Sequence, residues 1–219
     1  DRSMPFRQNV AVLEAAARHA GDPCFGLNLA AQLNSQNIGV LGYVATASAT
    51  VADALANVQR YYHVLSDGAA FESRVESGQL VIEYRVLDPA AQHSRQNDDM
   101  SLMSILRLMQ ISTGKRPFAD WVETPHSAPA QAPDYGRLFG APLRFEAGRN
   151  AVVLPAGFLD LPFHSADDNL LSILKGHCQS LLKERDHSYR DLLDDPGAGP
   201  AERYLLDRKL RLSEIAYMP

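Results

Sequence analysis

Apolar positions set the first elements. Between Phe6 and Ala20, Val10, Leu13 and Ala17 recur at helical spacing, and Gly21 follows as a stop. A second helical run, CFGLNLAAQLN, begins after Pro23. The third is bounded more sharply. Thr50 with Asp53 forms a capping box, and Val51, Leu55, Val58, Tyr62 and Leu65 make one stripe that ends at Ser66-Asp67-Gly68. The period then shortens to two. FESRVESGQLVIEYRVLD reads as a hairpin over 71–76 and 79–87 with a Ser77-Gly78 turn, and Leu80, Ile82, Tyr84 and Val86 share a face. Asp98 precedes an apolar helix, DDMSLMSILRLMQISTG, closed by Gly114. Short strands are predicted over 121–124, 143–145 and 151–154, with a Pro/Ala-rich surface loop over 125–133. Ser165 with Asp168 reads as another capping box, opening an amphipathic helix through Leu171, Leu174, Cys178 and Leu181. Helices followed by a hairpin, a long helix and more short strands predict an α+β fold, with helices laid on a small antiparallel sheet.

Composition narrows the class without naming a function. The 219 residues are 46% hydrophobic and 21% charged, an ordinary balance for one large or two small globular domains. No run approaches the roughly 18 apolar residues a membrane span needs. The opening DRSMPFRQ has no apolar signal core, and Cys24 and Cys178 lack a CxxC partner. Both features lead us to expect a cytoplasmic protein with buried thiols. A net charge of −5 argues against nucleic-acid binding over the whole surface, while leaving room for a small basic module around Arg208-Lys209-Leu210-Arg211.

Candidate chemistry is sparse. Arg107 is the one charge between Met100 and Gly114, on a helical face with Met100, Met103 and Ile111. Its guanidinium either clamps a carboxylate ligand in an apolar pocket or has its stem on apolar surface with the head in water. Tyr61, Tyr62, Tyr84 and Trp121 each combine an apolar body with a polar tip, which suits a small-ligand pocket and equally suits a satisfied core. Seven histidines are scattered without HExxH or Cys/His spacing, so no metal or other cofactor is expected. Nucleophile-elbow, P-loop and dinucleotide motifs are absent, and Cys178 falls on an apolar stripe. No catalytic residue is assigned.

Several stretches together resemble one family. GDPCFGLNLA, then IGVLGYVATASATVADALANVQRYYHVLSDG, and later LFGAPLRFEAGRNAVVLPAGFLDLPF are similar in order and spacing to the ligand-binding and dimerisation domain of AraC/XylS-type bacterial transcription regulators, in the helix-rich, non-cupin branch. In the tail, KERDHSYRDLLDD and AERYLLDRKLRLSEIAYM resemble pieces of the family's double helix-turn-helix domain. PGAGP interrupts what the family has as a continuous helix, so segments are expected to be missing around it and after the tail. The resemblance implies an effector-binding and dimerising domain over 1–182 and an incomplete helix-turn-helix domain over 183–219. Within that domain the side chains weighed above, Tyr61, Tyr62, Tyr84, Met103, Arg107 and Trp121, are the ligand-binding candidates, and Arg208, Lys209, Arg211 and Ser213 in the tail are the DNA-contacting ones. The implied partners are a small effector, such as an amino acid, fatty acid or other carboxylate, then DNA, and a second copy of the chain. A carrier or enzyme without a DNA role is the alternative. A chain carrying neither recognition helix is expected to read no base sequence.

Overall fold

The computed structural model describes residues 5–92, 94–115, 119–129 and 135–194. The chain divides into a unit Asp1–Gly176 and a unit His177–Pro219. In the first, α1 (Phe6–Ala20), α2 (Phe25–Ala31), α3 (Val40–Ala47) and α4 (Val51–Leu65) lead into a hairpin of β1 (Ala69–Glu76) and β2 (Gln79–Val86). Next come α5 (Arg95–Thr113), β3 (Trp121–Glu123), α6 (Tyr135–Phe139), β4 (Leu143–Arg144) and β5 (Asn150–Pro155). The last helix, α7, is Asp168–Asp194.

Local chemistry accounts for these boundaries. Helix α1 buries Val10, Leu13 and Ala17 and ends on Gly21 in the left-handed region, where the lack of a Cβ removes the steric cost. Thr50 caps α4, its hydroxyl oxygen accepting from the Asp53 N–H at 3.2 Å, a contact worth about 1 kcal/mol. The hairpin turns at Ser77 and Gly78, both with positive φ, which matches the twist of the flanking strands. Two caps differ from expectation. Helix α5 begins before Asp98, at Arg95, with Ser94 accepting from the Asn97 N–H. Helix α7 is capped by Asp167, which accepts from the Leu170 N–H at 2.9 Å, while the Ser165 hydroxyl donates to the Thr46 carbonyl.

The fold is α+β, with the strands in the order β1-β2-β5-β3-β4. All neighbours are antiparallel except β3 and β4, so the sheet is mixed, a correction to the antiparallel expectation. The two short strands are joined through α6, a crossover that lets them run the same way. One face carries Phe71, Leu80, Ile82, Val122, Val152 and Leu154 against apolar side chains of α2, α4 and α5, and this is the main core. The opposite face holds a smaller cluster of Val81, Ala151 and Val153 beneath Trp121. No described helix is long and apolar enough to cross a membrane.

Candidate functional site

Among the described residues, the first turn of α5 is the most polar buried segment. Ser94, Gln96, Asn97, Asp98 and Asp99 are all buried, and each is fastened elsewhere. Toward α1, the Glu14 carboxylate accepts from the Ser94 hydroxyl at 2.6 Å and from the Gln96 N–H. Toward α2, Gln96 accepts from the Gly26 N–H at 2.7 Å and donates to the Pro23 carbonyl. Asn97 donates to the Tyr84 hydroxyl on β2 at 3.1 Å. Asp98 Oδ2 meets His126 Nε2 at 2.8 Å, just beyond β3. Asp99 accepts from the Tyr135 hydroxyl on α6 at 2.9 Å. Arg95 donates to the Ser127 carbonyl. Successive helical residues point about 100° apart, so a buried helix end can reach a different neighbour with each one.

Burial sets the electrostatics. It raises the Asp99 carboxyl from 3.8 to about 6, against the opposing pull of the Tyr135 hydrogen bond and the charges of Arg95 and His126. Burial and then the nearby Asp99 push the Tyr135 phenol well up. The Tyr84 phenol also rises through burial, partly offset by hydrogen bonds from Ser101 and Asn97. The Cys24 thiol is raised by burial and then by Asp22, which keeps it a protonated, unreactive thiol. Among the described residues, no group of three His, Cys, Asp or Glu side chains is placed to hold a metal ion.

The residues singled out from sequence divide between the two sides of the sheet. Tyr62 stacks on Phe71 with ring centroids 6.0 Å apart, and Phe71 is the cross-strand partner of Tyr84. Met103 is buried in the same core, so Tyr62, Tyr84 and Met103 share the helix-covered face. Tyr61 is buried under the Arg60 guanidinium, which sits 5.6 Å from its ring centroid. Trp121 lies on the other face. It pairs with Val153 whereas Tyr84 pairs with Asn150, an odd offset that reverses the side. There the Arg144 guanidinium lies 3.6 Å over its ring, and its indole N–H donates to Glu123 at 2.7 Å.

Arg107 is half-buried at the margin of the core. Its Nη1 donates to Gln110 at 3.1 Å, and its buried Nε has no hydrogen-bond partner. Ile111, expected on its apolar face, is 38% exposed. Arg208, Lys209, Arg211 and Ser213 lie outside the described residues. The sequence reading missed Asn97, Asp99, Tyr135 and Asn150, and it left His126 among the unpaired histidines. No local pattern marks these residues, because their partners are distant in the chain.

Comparison with known proteins completes the picture. Over 170 residues the chain is 26% identical to the ornithine utilization regulator of Pseudomonas aeruginosa, an alignment spanning 76% of this chain and 49% of that protein. The chain therefore spans about half the length of the curated relative it matches. The crystal structure of the transcriptional regulator CdpR from Pseudomonas aeruginosa shares the fold, with a TM-score of 0.63 at 12% identity, covering 100% of this chain and 74% of that one. Residues 1–163 match the family described as the N-terminal arabinose-binding domain of AraC transcription regulators. A match over that much of the chain makes this protein a member of the AraC transcription regulator family.

Proposed function

We propose that the chain is the effector-binding and dimerising part of a cytoplasmic AraC-type transcription regulator, non-enzymatic, and that it controls DNA binding by a C-terminal helix-turn-helix domain. The observation that carries this reading is the family match over residues 1–163. The proposed domains are 1–182 for effector binding and dimerisation and 183–219 for an incomplete helix-turn-helix DNA-binding part. A small effector binds between the helices and the sheet, among Tyr62, Tyr84 and Met103, and acts by favouring one of two arrangements of the DNA-binding units. It does so only as far as its affinity differs between them. An amino acid or other small carboxylate is the preferred class. The unpartnered Arg107 Nε supports this, since a guanidinium N–H without an acceptor is a ready carboxylate contact. The ornithine utilization role of the relative points the same way. The buried acids Asp98 and Asp99 are each held by a structural partner, which supports a binding role over an acid–base one.

Native mass spectrometry of the purified protein tests the reading. A co-purified molecule of a few hundred daltons, displaced by an amino acid or short carboxylate, is the expected result. A clean apo mass that no such compound shifts would count against an effector domain.

A further inference from the structure

We infer that the row Tyr84–Asn150–Thr124, beneath the first turn of α5, receives the hydrogen-bond-donating head of a small ligand, with an ammonium group bound to the Asn150 side-chain oxygen. This rests on the effector-domain reading and specifies the ligand end it would hold. Tyr84 on β2 lies directly opposite Asn150 on β5, and one further step of the β5–β3 register brings Thr124 alongside. All three sit on the helix-covered face and all are buried, Asn150 at 7% exposure. The Asn150 oxygen has no hydrogen-bond partner. Its neighbours have their own. The Tyr84 hydroxyl takes the Asn97 amide, which also lies 3.4 Å from Asp98, and Asp98 holds His126. The Thr124 hydroxyl oxygen accepts from the backbone N–H of His126. The Tyr84 and Thr124 oxygens are therefore supplied, and the Asn150 oxygen, buried without a donor, is the group in the row that a ligand would satisfy. The atom left unsatisfied is an acceptor, which an ionised carboxylate head cannot serve. An ammonium supplies donors for the Asn150 oxygen and for the hydroxyl oxygens of Tyr84 and Thr124, the residues that flank it in the sheet register.

The test uses matched five-carbon probes on the intact chain. Pentylamine carries the donor alone, pentanoate the carboxylate alone, and 5-aminopentanoate both. Calorimetry is run on the wild type, Asn150→Leu and Asn150→Asp, with melting temperatures to check folding. The amine-bearing probes should bind the wild type, lose at least tenfold in Asn150→Leu, and keep or gain affinity in Asn150→Asp. Pentanoate should not discriminate among the three proteins. If Asn150→Leu fails to fold, the Asp variant and the amine-against-pentanoate contrast in the wild type still decide. Amine binding that is unchanged in Asn150→Leu would overturn the inference. So would binding of pentanoate without pentylamine, although that outcome leaves the effector domain standing. Binding of none of the probes overturns the inference too, and the effector reading is then judged by the native mass measurement alone.

Discussion

Asp99 shows how one buried side chain couples the fold to pH. Its carboxyl titrates near 3.8 in the unfolded chain and near 6 in the folded protein, because burial opposes the charge. Between those values the folded state holds more protons, so this residue makes stability fall as pH rises through the window. Above pH 6 the cost is about 3 kcal/mol, from the shift of roughly two units. Asp99→Asn keeps an acceptor for Tyr135 and removes the charge. We expect the variant to match the wild type below pH 4 and to exceed it by a few kcal/mol at pH 7.5, measured by urea unfolding across that range. A constant difference at every pH would show that Asp99 does not titrate in this window. Arg107 gives a second residue-scale prediction. Arg107→Met preserves the shape and removes the guanidinium, so affinity for pentanoate should drop by about 2–5 kcal/mol with little change in melting temperature. An unchanged pentanoate titration would retire Arg107 as a ligand contact.

At the scale of elements, the α2–α5 contact depends on one missing methyl group. A Cβ at Gly26 would stand 2.1 Å from the Gln96 carbonyl oxygen, a backbone atom that cannot swing away. Gly26 also donates its N–H to the Gln96 side chain. Gly26→Ala should therefore force the helices apart and cost about 3 kcal/mol or more, read as a lower chemical-denaturation midpoint. A loss under 0.5 kcal/mol would mean that α2 shifts freely on α5. The same region explains what periodicity could and could not read. Helices α1 and α4, the hairpin and the apolar half of α5 follow from spacing alone, because their buried residues are apolar. The first turn of α5 breaks that link. Its polar sequence carries no apolar stripe, yet Ser94, Gln96, Asn97, Asp98 and Asp99 are buried and bonded to residues as distant as Glu14 and Tyr135. The side on which Trp121 falls is equally nonlocal, being set by the registers of β2 and β3 against β5.

For the whole molecule, family membership was readable from the order of several weak motifs, none of them decisive alone, and the match over residues 1–163 agrees with it. The candidate site was readable only in part. Tyr62, Tyr84 and Met103 reach one face because the apolar stripe of α4 and the alternation of β2 both point inward. Asn150 escaped notice because a turn-forming residue at the start of a strand carries no sign that it will be buried.

The proposed dimer is a claim about the assembled protein, and it follows from how paired operators are read. Two half-sites related by a two-fold axis are matched by two protein copies sharing that axis, so regulators of this architecture gain affinity by pairing through a surface that repeats itself. Such an interface typically buries about 800 Å² on each partner. Sedimentation equilibrium at tens of micromolar should then return twice the 24.0 kDa chain mass. Mass action adds a second expectation: an effector that favours the paired arrangement must tighten the dimer by the factor through which the dimer binds that effector more strongly. Dissociation constants measured with and without 5-aminopentanoate check the linkage. A monomer at every concentration, with the probe bound, would separate effector binding from dimerisation and overturn the proposed dimer.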